Sequence, residues 1–184
     1  MTNKAIIAVG LACILLAGCG GQGEGEGGSG TEVAAGGMPA NWKATDACSI
    51  IDKAEMGEVM KSEVTDATVA LVHEPDTSAA ATSECSYILA DGGRASVMTR
   101  WSPIDDNTPE SIALTRSTMA ETMSAFTDKQ IEDVPGVGKA AFFVPGVNQF
   151  NVFLDDARMM IITLTSAPDA EAKDRAVALV AKAS

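Results

Sequence analysis

SECSYILA (residues 83–90), DGG (91–93) and RASVMTRW (94–101) form the stretch whose reading decides the fold. An Asp-Gly pair between two runs of this kind is a strong β-hairpin signal, because glycine and aspartate accept the positive backbone angles that a tight turn between antiparallel strands needs. Working outward toward the N-terminus, Val64 to Val72 is rich in β-branched residues and predicts another strand. Before it, Asp52-Lys53-Ala54-Glu55 has the form of a capping box and predicts a helix to about Met60. Toward the C-terminus, Thr108-Pro109-Glu110 places a cap residue before a proline at the first helical position, which predicts a helix running to about Ala125. Three further strands are expected at 139–145, 148–155 and 157–165, with turns at Pro145-Gly146 and Asp155-Asp156. An amphipathic helix from about Pro168 to Ala183 ends the chain. The class implied is α+β: an antiparallel sheet of about six strands covered by helices.

Read this way, a helix followed by three strands occurs twice, and short matches accompany the pattern. Met56-Gly57-Glu58-Val59-Met60 recurs as Met119-Ala120-Glu121-Thr122-Met123. Asp91, Arg94 and Val97-Met98-Thr99 recur as Asp155, Arg158 and Ile161-Ile162-Thr163, at an offset that agrees within one residue. Two helix-plus-three-strand repeats are one origin of this agreement; the other is that helices and hairpins reuse the same residue types.

With 25 acidic against 13 basic residues the formal net charge is −12. Such a field repels phosphate, which argues against a nucleic-acid partner and against electrostatic docking on anionic lipid headgroups. Apolar residues make up 46% of the chain, enough for one domain with a buried core, but the aromatics are few, so aliphatic side chains and Met must do most of the packing.

Leu16-Ala17-Gly18-Cys19 closes the short apolar run that follows Lys4, and it reads as a lipobox. Residues 1–18 are expected to be a lipoprotein signal peptide, too short and too glycine-flanked for a membrane span. Cleavage before Cys19 would free that thiol for diacylglycerol and its amino group for a further acyl chain such as palmitate, so the protein's first partner is a membrane. Residues 19–41 then form the acylated cysteine and a flexible Gly-rich tether, with a root-mean-square reach of ~25 Å. Residues 42–184 form a single extracytoplasmic domain. Gly20 lacks the aspartate that marks retention at the inner membrane of many Gram-negative bacteria, so the outer membrane facing the periplasm is the expected address there. In a cell with one membrane, its outer face takes that place. Cys13 leaves with the signal and Cys19 is acylated, which reserves Cys48 and Cys85 for a disulfide in an oxidising compartment.

The helix start Asp46-Ala47-Cys48-Ser49-Ile50-Ile51 with Ala54-Glu55, the second cysteine before an aromatic in Cys85-Ser86-Tyr87, and the turn Val134-Pro135-Gly136-Val137-Gly138-Lys139-Ala140-Ala141 together resemble a family of uncharacterised bacterial lipoproteins well represented in actinobacteria. Lys139 stands where such proteins tend to carry an acidic residue. The resemblance spans about residues 46–183 and implies an anchored, disulfide-closed α+β domain, with no catalytic residues to carry over. Some related lipoproteins look similar to the PsbP-like fold of photosystem accessory proteins, which fits a binding role.

The residue types available for chemistry are limited. Gly136-Val137-Gly138-Lys139 fails as a phosphate-binding loop, with Asp133 where the first glycine belongs and Ala140 where a hydroxyl belongs. His73 is the only histidine, so any histidine-dependent mechanism passes through it; its neighbours Glu74 and Asp76 suggest a metal set, but adjacent residues on a strand point to opposite faces. The pairs Met56/Met60 and Met119/Met123 share a helix face and are soft ligands suited to Cu(I), although Met is also the common filler of irregular cores. Asp105-Asp106 and Asp155-Asp156 read as solvated loops. The expected function is therefore that of a non-catalytic, lipid-anchored accessory or binding module of the cell envelope, with an envelope protein as its partner and no cofactor. The alternatives are a hydrolase built on loops between strands, or a small-ligand or copper-binding protein.

Overall fold

The computed structural model describes residues 37–183. The signal peptide 1–18, Cys19 and all but the last residues of the tether lie outside the described residues. The domain is α+β, with one antiparallel seven-stranded sheet and four helices. In chain order these are α1 (Ala47–Ile50), α2 (Lys53–Met60), β1 (Val64–His73), β2 (Ala81–Leu89), β3 (Arg94–Trp101), α3 (Pro109–Ser124), β4 (Glu132–Asp133), β5 (Ala140–Val144), β6 (Gln149–Phe153), β7 (Arg158–Thr163) and α4 (Asp169–Ala183). The sheet order is β1-β2-β3-β7-β6-β5-β4.

The local signals act as their chemistry dictates. Asp52 accepts from the Glu55 amide while the Glu55 carboxylate accepts from the Asp52 amide, closing the capping box of α2. Thr108 caps α3 ahead of Pro109. The DGG turn sets β2 against β3 in unbroken register from Ala81↔Trp101 to Ile88↔Arg94. One element goes beyond the sequence reading: β4, a two-residue strand pairing with Phe143 and Phe142, too short to leave a periodic signature. A single helical turn, α1, stands at the helix start around Cys48, and its amide cap comes from elsewhere in the fold.

Alternation divides the sheet into two faces. One face carries Cys85, Tyr87, Val97, Phe150, Val152 and Ile162 into the main core, roofed by α1, α2 and α4. On the opposite face a smaller cluster of Phe142, Val144, Phe153 and Met159 meets Ile112, Met119 and Met123 of α3. Helix α3 thus covers the β5–β7 half, and it buries none of its own residues fully.

The chain entering the domain is clamped to three successive core-facing positions of β2. Ser83 donates to the Ala44 carbonyl (2.8 Å) and accepts from the Ala47 amide (2.8 Å), doing for α1 what Asp46 does not. Cys85 is bonded to Cys48, with Cα atoms 5.0 Å apart. Tyr87 donates to the Ile51 carbonyl at 2.5 Å. Thr99, on the adjoining strand, donates to the Ala44 carbonyl as well (3.1 Å). The spacing Ser83, Cys85, Tyr87 follows from strand geometry, which brings every second residue to one face.

The strand order β1-β2-β3-β7-β6-β5 is the mirrored arrangement that two three-stranded halves would produce. The sequence matches do not map onto it. A two-fold axis normal to the sheet keeps each residue on its own face, yet Arg94 lies on the open face while its match Arg158 stacks over Trp42 beneath the roof. The helices differ too: α2 joins the main core and α3 the opposite one. The matched segments therefore share hairpin and helix grammar rather than symmetry-related positions.

Candidate functional site

Because α3 covers only one half of its face, the same face of β1, β2 and β3 is left open. Rows of side chains cross it at strand spacing, about 4.8 Å apart. One row runs Asp66, Ile88, Arg94. The next runs Thr68, Ser86, Ser96, Thr163, a line of hydroxyls across four strands. Together with Thr165 these residues line a cavity of about 270 Å³. The segment following β7 forms one wall: Ser166 accepts from the Arg94 amide (2.7 Å), and Thr165 donates to the Arg94 carbonyl (2.9 Å). Opposite it, the Thr68 hydroxyl donates to the Asp66 carboxylate (3.1 Å).

The cavity therefore presents one cation, one anion, a set of hydroxyls and the apolar flank of Ile88. Histidine is not among the residues that line it. His73 ends β1 opposite Thr82, whereas Asp66 lies near the other end of that strand, on the order of 20 Å away at strand rise. That distance keeps the imidazole from activating any hydroxyl of the cavity.

A second polar cluster closes the far end of the sheet. Asn107, buried in a loop, donates through its amide to the Asp155 carbonyl (2.9 Å) and the Arg158 carbonyl (3.0 Å), while its own carbonyl accepts from Lys139 (2.7 Å). Lys139 also pairs with Asp156, Arg158 with Asp155, and Arg100 with Asp106. The Arg100 hydrogen bond holds the Asp106 carboxyl below the ordinary carboxylate range. Burial acts to raise Asp155, but the Arg158 and Ala157 amides and the Arg158 guanidinium outweigh it and hold that group low as well. Each of these charges faces its opposite, which makes this cluster a brace.

The residues singled out in the sequence fall as follows. Cys48 and Cys85 are brought together in the disulfide. Cys19 lies outside the described residues. Met56 and Met60 are buried in the main core, and Met119 and Met123 pack on the other side of the sheet, so the four thioethers do not converge. Among the described residues no group of three or more His, Cys, Asp and Glu is arranged to hold a metal ion. Asp76 accepts from the Ser78 and Ala79 amides (2.8 and 2.6 Å), which lowers its pKa and commits it to its own turn. Gly138 has φ 60°, and a Cβ there would sit 2.5 Å from the Phe153 carbonyl oxygen, so the glycine motif serves a close passage of strands. Arg94 and Asn107 escaped the sequence reading: an arginine opening a strand and an asparagine in a loop are commonplace, and their roles arise only from the neighbours the fold supplies. No family model, curated protein or solved structure matches this chain.

Proposed function

We propose that this chain is a lipid-anchored, non-catalytic binding module of the cell envelope, attached through Cys19 and engaging its partner with the open face of β1, β2 and β3. The observation that carries the reading is the half-covered sheet: α3 stops short of these strands, and the surface it leaves is concave, lined by hydroxyl, charged and apolar side chains, and fixed at its rim by backbone hydrogen bonds to Ser166 and Thr165. The lipobox Leu16-Ala17-Gly18-Cys19 supplies the anchoring half of the proposal.

The test is made in cells that produce the full chain. Cys19→Ala is expected to abolish incorporation of labelled palmitate and to move the protein from the membrane to the soluble fraction; unchanged partition would overturn the anchor. Photo-crosslinkers at Thr68 and Ser96 are expected to capture a discrete envelope adduct that a crosslinker at Leu114, on α3, does not. Equal capture from all three positions would remove the open face from the proposal. Turnover of a hydrolase substrate by the purified chain, abolished by Asp66→Asn, would replace the binding reading with an enzymatic one.

A further inference from the structure

Strand β1 is a free edge of the sheet: it pairs with β2 on one side and, among the described residues, with no strand on the other. An edge strand presents a row of unpaired N–H and C=O groups at strand spacing, and only another extended backbone satisfies such a row in series. Native sheets commonly blunt a long edge with lysine, proline or a covering segment. The ten residues of β1, VTDATVALVH, contain no lysine, arginine or proline, and Asp66 is their one carboxylate. Lys53 donates to the Thr65 carbonyl (2.8 Å), so the free run begins at Asp66. The opposite edge is guarded: β4 is only Glu132 and Asp133, whose carboxylates are held by Lys173 and Arg116.

An irregularity within β1 selects the strand that fits this edge. Leu71 has φ 51°, a backbone angle that a bulky side chain adopts at a cost. It belongs to a bulge: Ala70 pairs with Glu84 and His73 with Thr82, so Leu71 and Val72 together stand opposite Ser83. Asp66 and His73 are an odd number of residues apart, and unbroken alternation would place them on opposite faces. The extra residue restores the parity, and both lie on the open face, as do their β2 partners Ile88 and Thr82. Along β2 those two partners are each three residues from Cys85, which pairs with Val69. The one carboxylate of the strand and the one histidine of the chain are therefore equidistant from Val69 and share a face.

An isologous antiparallel pair has its two-fold axis normal to the sheet, which keeps every residue on its own face. With that axis beside Val69, Val69 stands opposite itself, Thr68 opposite Ala70, Ala67 opposite the bulge, and Asp66 opposite His73 of the second copy. The small side chain of Ala67 leaves room for the bulge residues Leu71 and Val72, which are 68% and 48% exposed in the single chain. At both ends an imidazole N–H can donate to a carboxylate across a Cβ separation of about 5 Å. Within one copy the same two groups are on the order of 20 Å apart. The pairing closes on itself, because the edges left over are the two guarded β4 strands. The axis also keeps both chain entries, held at the Ala44 carbonyl on the roofed face, on one side of the joined sheet, so that both tethers can reach one membrane.

We propose that β1 pairs antiparallel with β1 of a second copy about Val69, joining two seven-stranded sheets into one and setting Asp66 of each copy, a residue of the open cavity, against His73 of the other. The test uses the full acylated chain. Thr68→Cys and Ala70→Cys chains carrying different tags are produced in the same cells and mildly oxidised. The mixed disulfide is expected to exceed the self-linked product of either variant by roughly fivefold, because only the mixed pair stands directly opposite. Sedimentation in detergent is expected to show a concentration-dependent dimer of the unmodified chain. His73→Asp, which opposes like charges at both ends, is expected to raise its dissociation constant by about tenfold, and Asp66→Lys added to His73→Asp to restore it. All four positions are exposed, so the melting temperature of the dilute chain is expected to hold throughout. A monomer at every concentration, Thr68→Cys linking chiefly to itself, linkage to a different protein, or a dimer indifferent to His73→Asp would each overturn the proposal. A Thr68 photo-adduct with the mass of two chains belongs to this edge; Ser96, two strands further in, reports on the open face alone, so the two readings fail separately.

Discussion

Tyr87 is the only tyrosine in the chain, so its ionisation is read without interference. Burial first, and then the nearby charges of Asp52, Glu55 and Asp46, push its hydroxyl well above the ordinary tyrosine range. A group whose pKa is raised by folding contributes its stability fully below the unfolded value, about 10, and loses it as pH rises toward the folded value. Tyrosinate absorbance is therefore expected to stay flat beyond pH ~10 and to rise only with loss of circular dichroism; a smooth rise in the folded protein would contradict the buried hydrogen bond to Ile51. Tyr87→Phe leaves the Ile51 carbonyl without that donor and is expected to cost about 1–2 kcal/mol in urea unfolding. At the other end of the sheet, Asn107→Ala removes two hydrogen bonds from a residue only 3% exposed. A loss of about 2–3 kcal/mol is expected, and a change under half a kilocalorie would show that the brace does not depend on Asn107.

Elements differ in how firmly the fold holds them. Helix α3 packs through half-buried Ile112, Met119 and Met123, and beneath it the side-chain amide nitrogen of fully buried Asn151 has no hydrogen-bond partner among the described residues. An unpartnered buried amide and a flexible methionine contact both weaken the seat of a helix. Amides of α3 are expected to exchange at lower denaturant than those of α4, which places Ala172, Ala176, Leu179 and Val180 in the core; simultaneous exchange of the two helices would refute this. Segment 44–51 is held differently, by hydroxyls and a disulfide that closes a separation of 37 residues. Reducing the bridge is expected to lower stability by about 4 kcal/mol on the chain-entropy account. The Cys48→Ser/Cys85→Ser pair supplies the check, since a chain that keeps its midpoint without the bridge would show the hydroxyls to be sufficient.

For the molecule as a whole, acid acts through the carboxylates held below their ordinary range. Asp106 and Asp155 have folded pKa values below their unfolded ones, so their contribution is present above about pH 4 and is lost as pH falls through the folded values. The melting temperature is expected to fall below that point, and Asp155→Asn to make the fall shallower; an unaltered acid slope in the variant would remove Asp155 from the account. The fold class, the hairpin at DGG, the caps at Asp52 and Thr108 and the pairing of Cys48 with Cys85 were legible in the sequence, because turns, caps and cysteine number act over a few residues or through simple exclusion. The two-residue β4, the capping of α1 by Ser83, the hub at Asn107 and the seating of the Arg94 backbone by Ser166 and Thr165 were not legible, since each depends on a partner far along the chain. Sequence by itself determined which longer segments become strands and helices, through periodicity and capping chemistry. Only the tertiary structure decided which face each helix covers, and so which half of the sheet stays open, because that choice is made by packing between segments far apart in the chain.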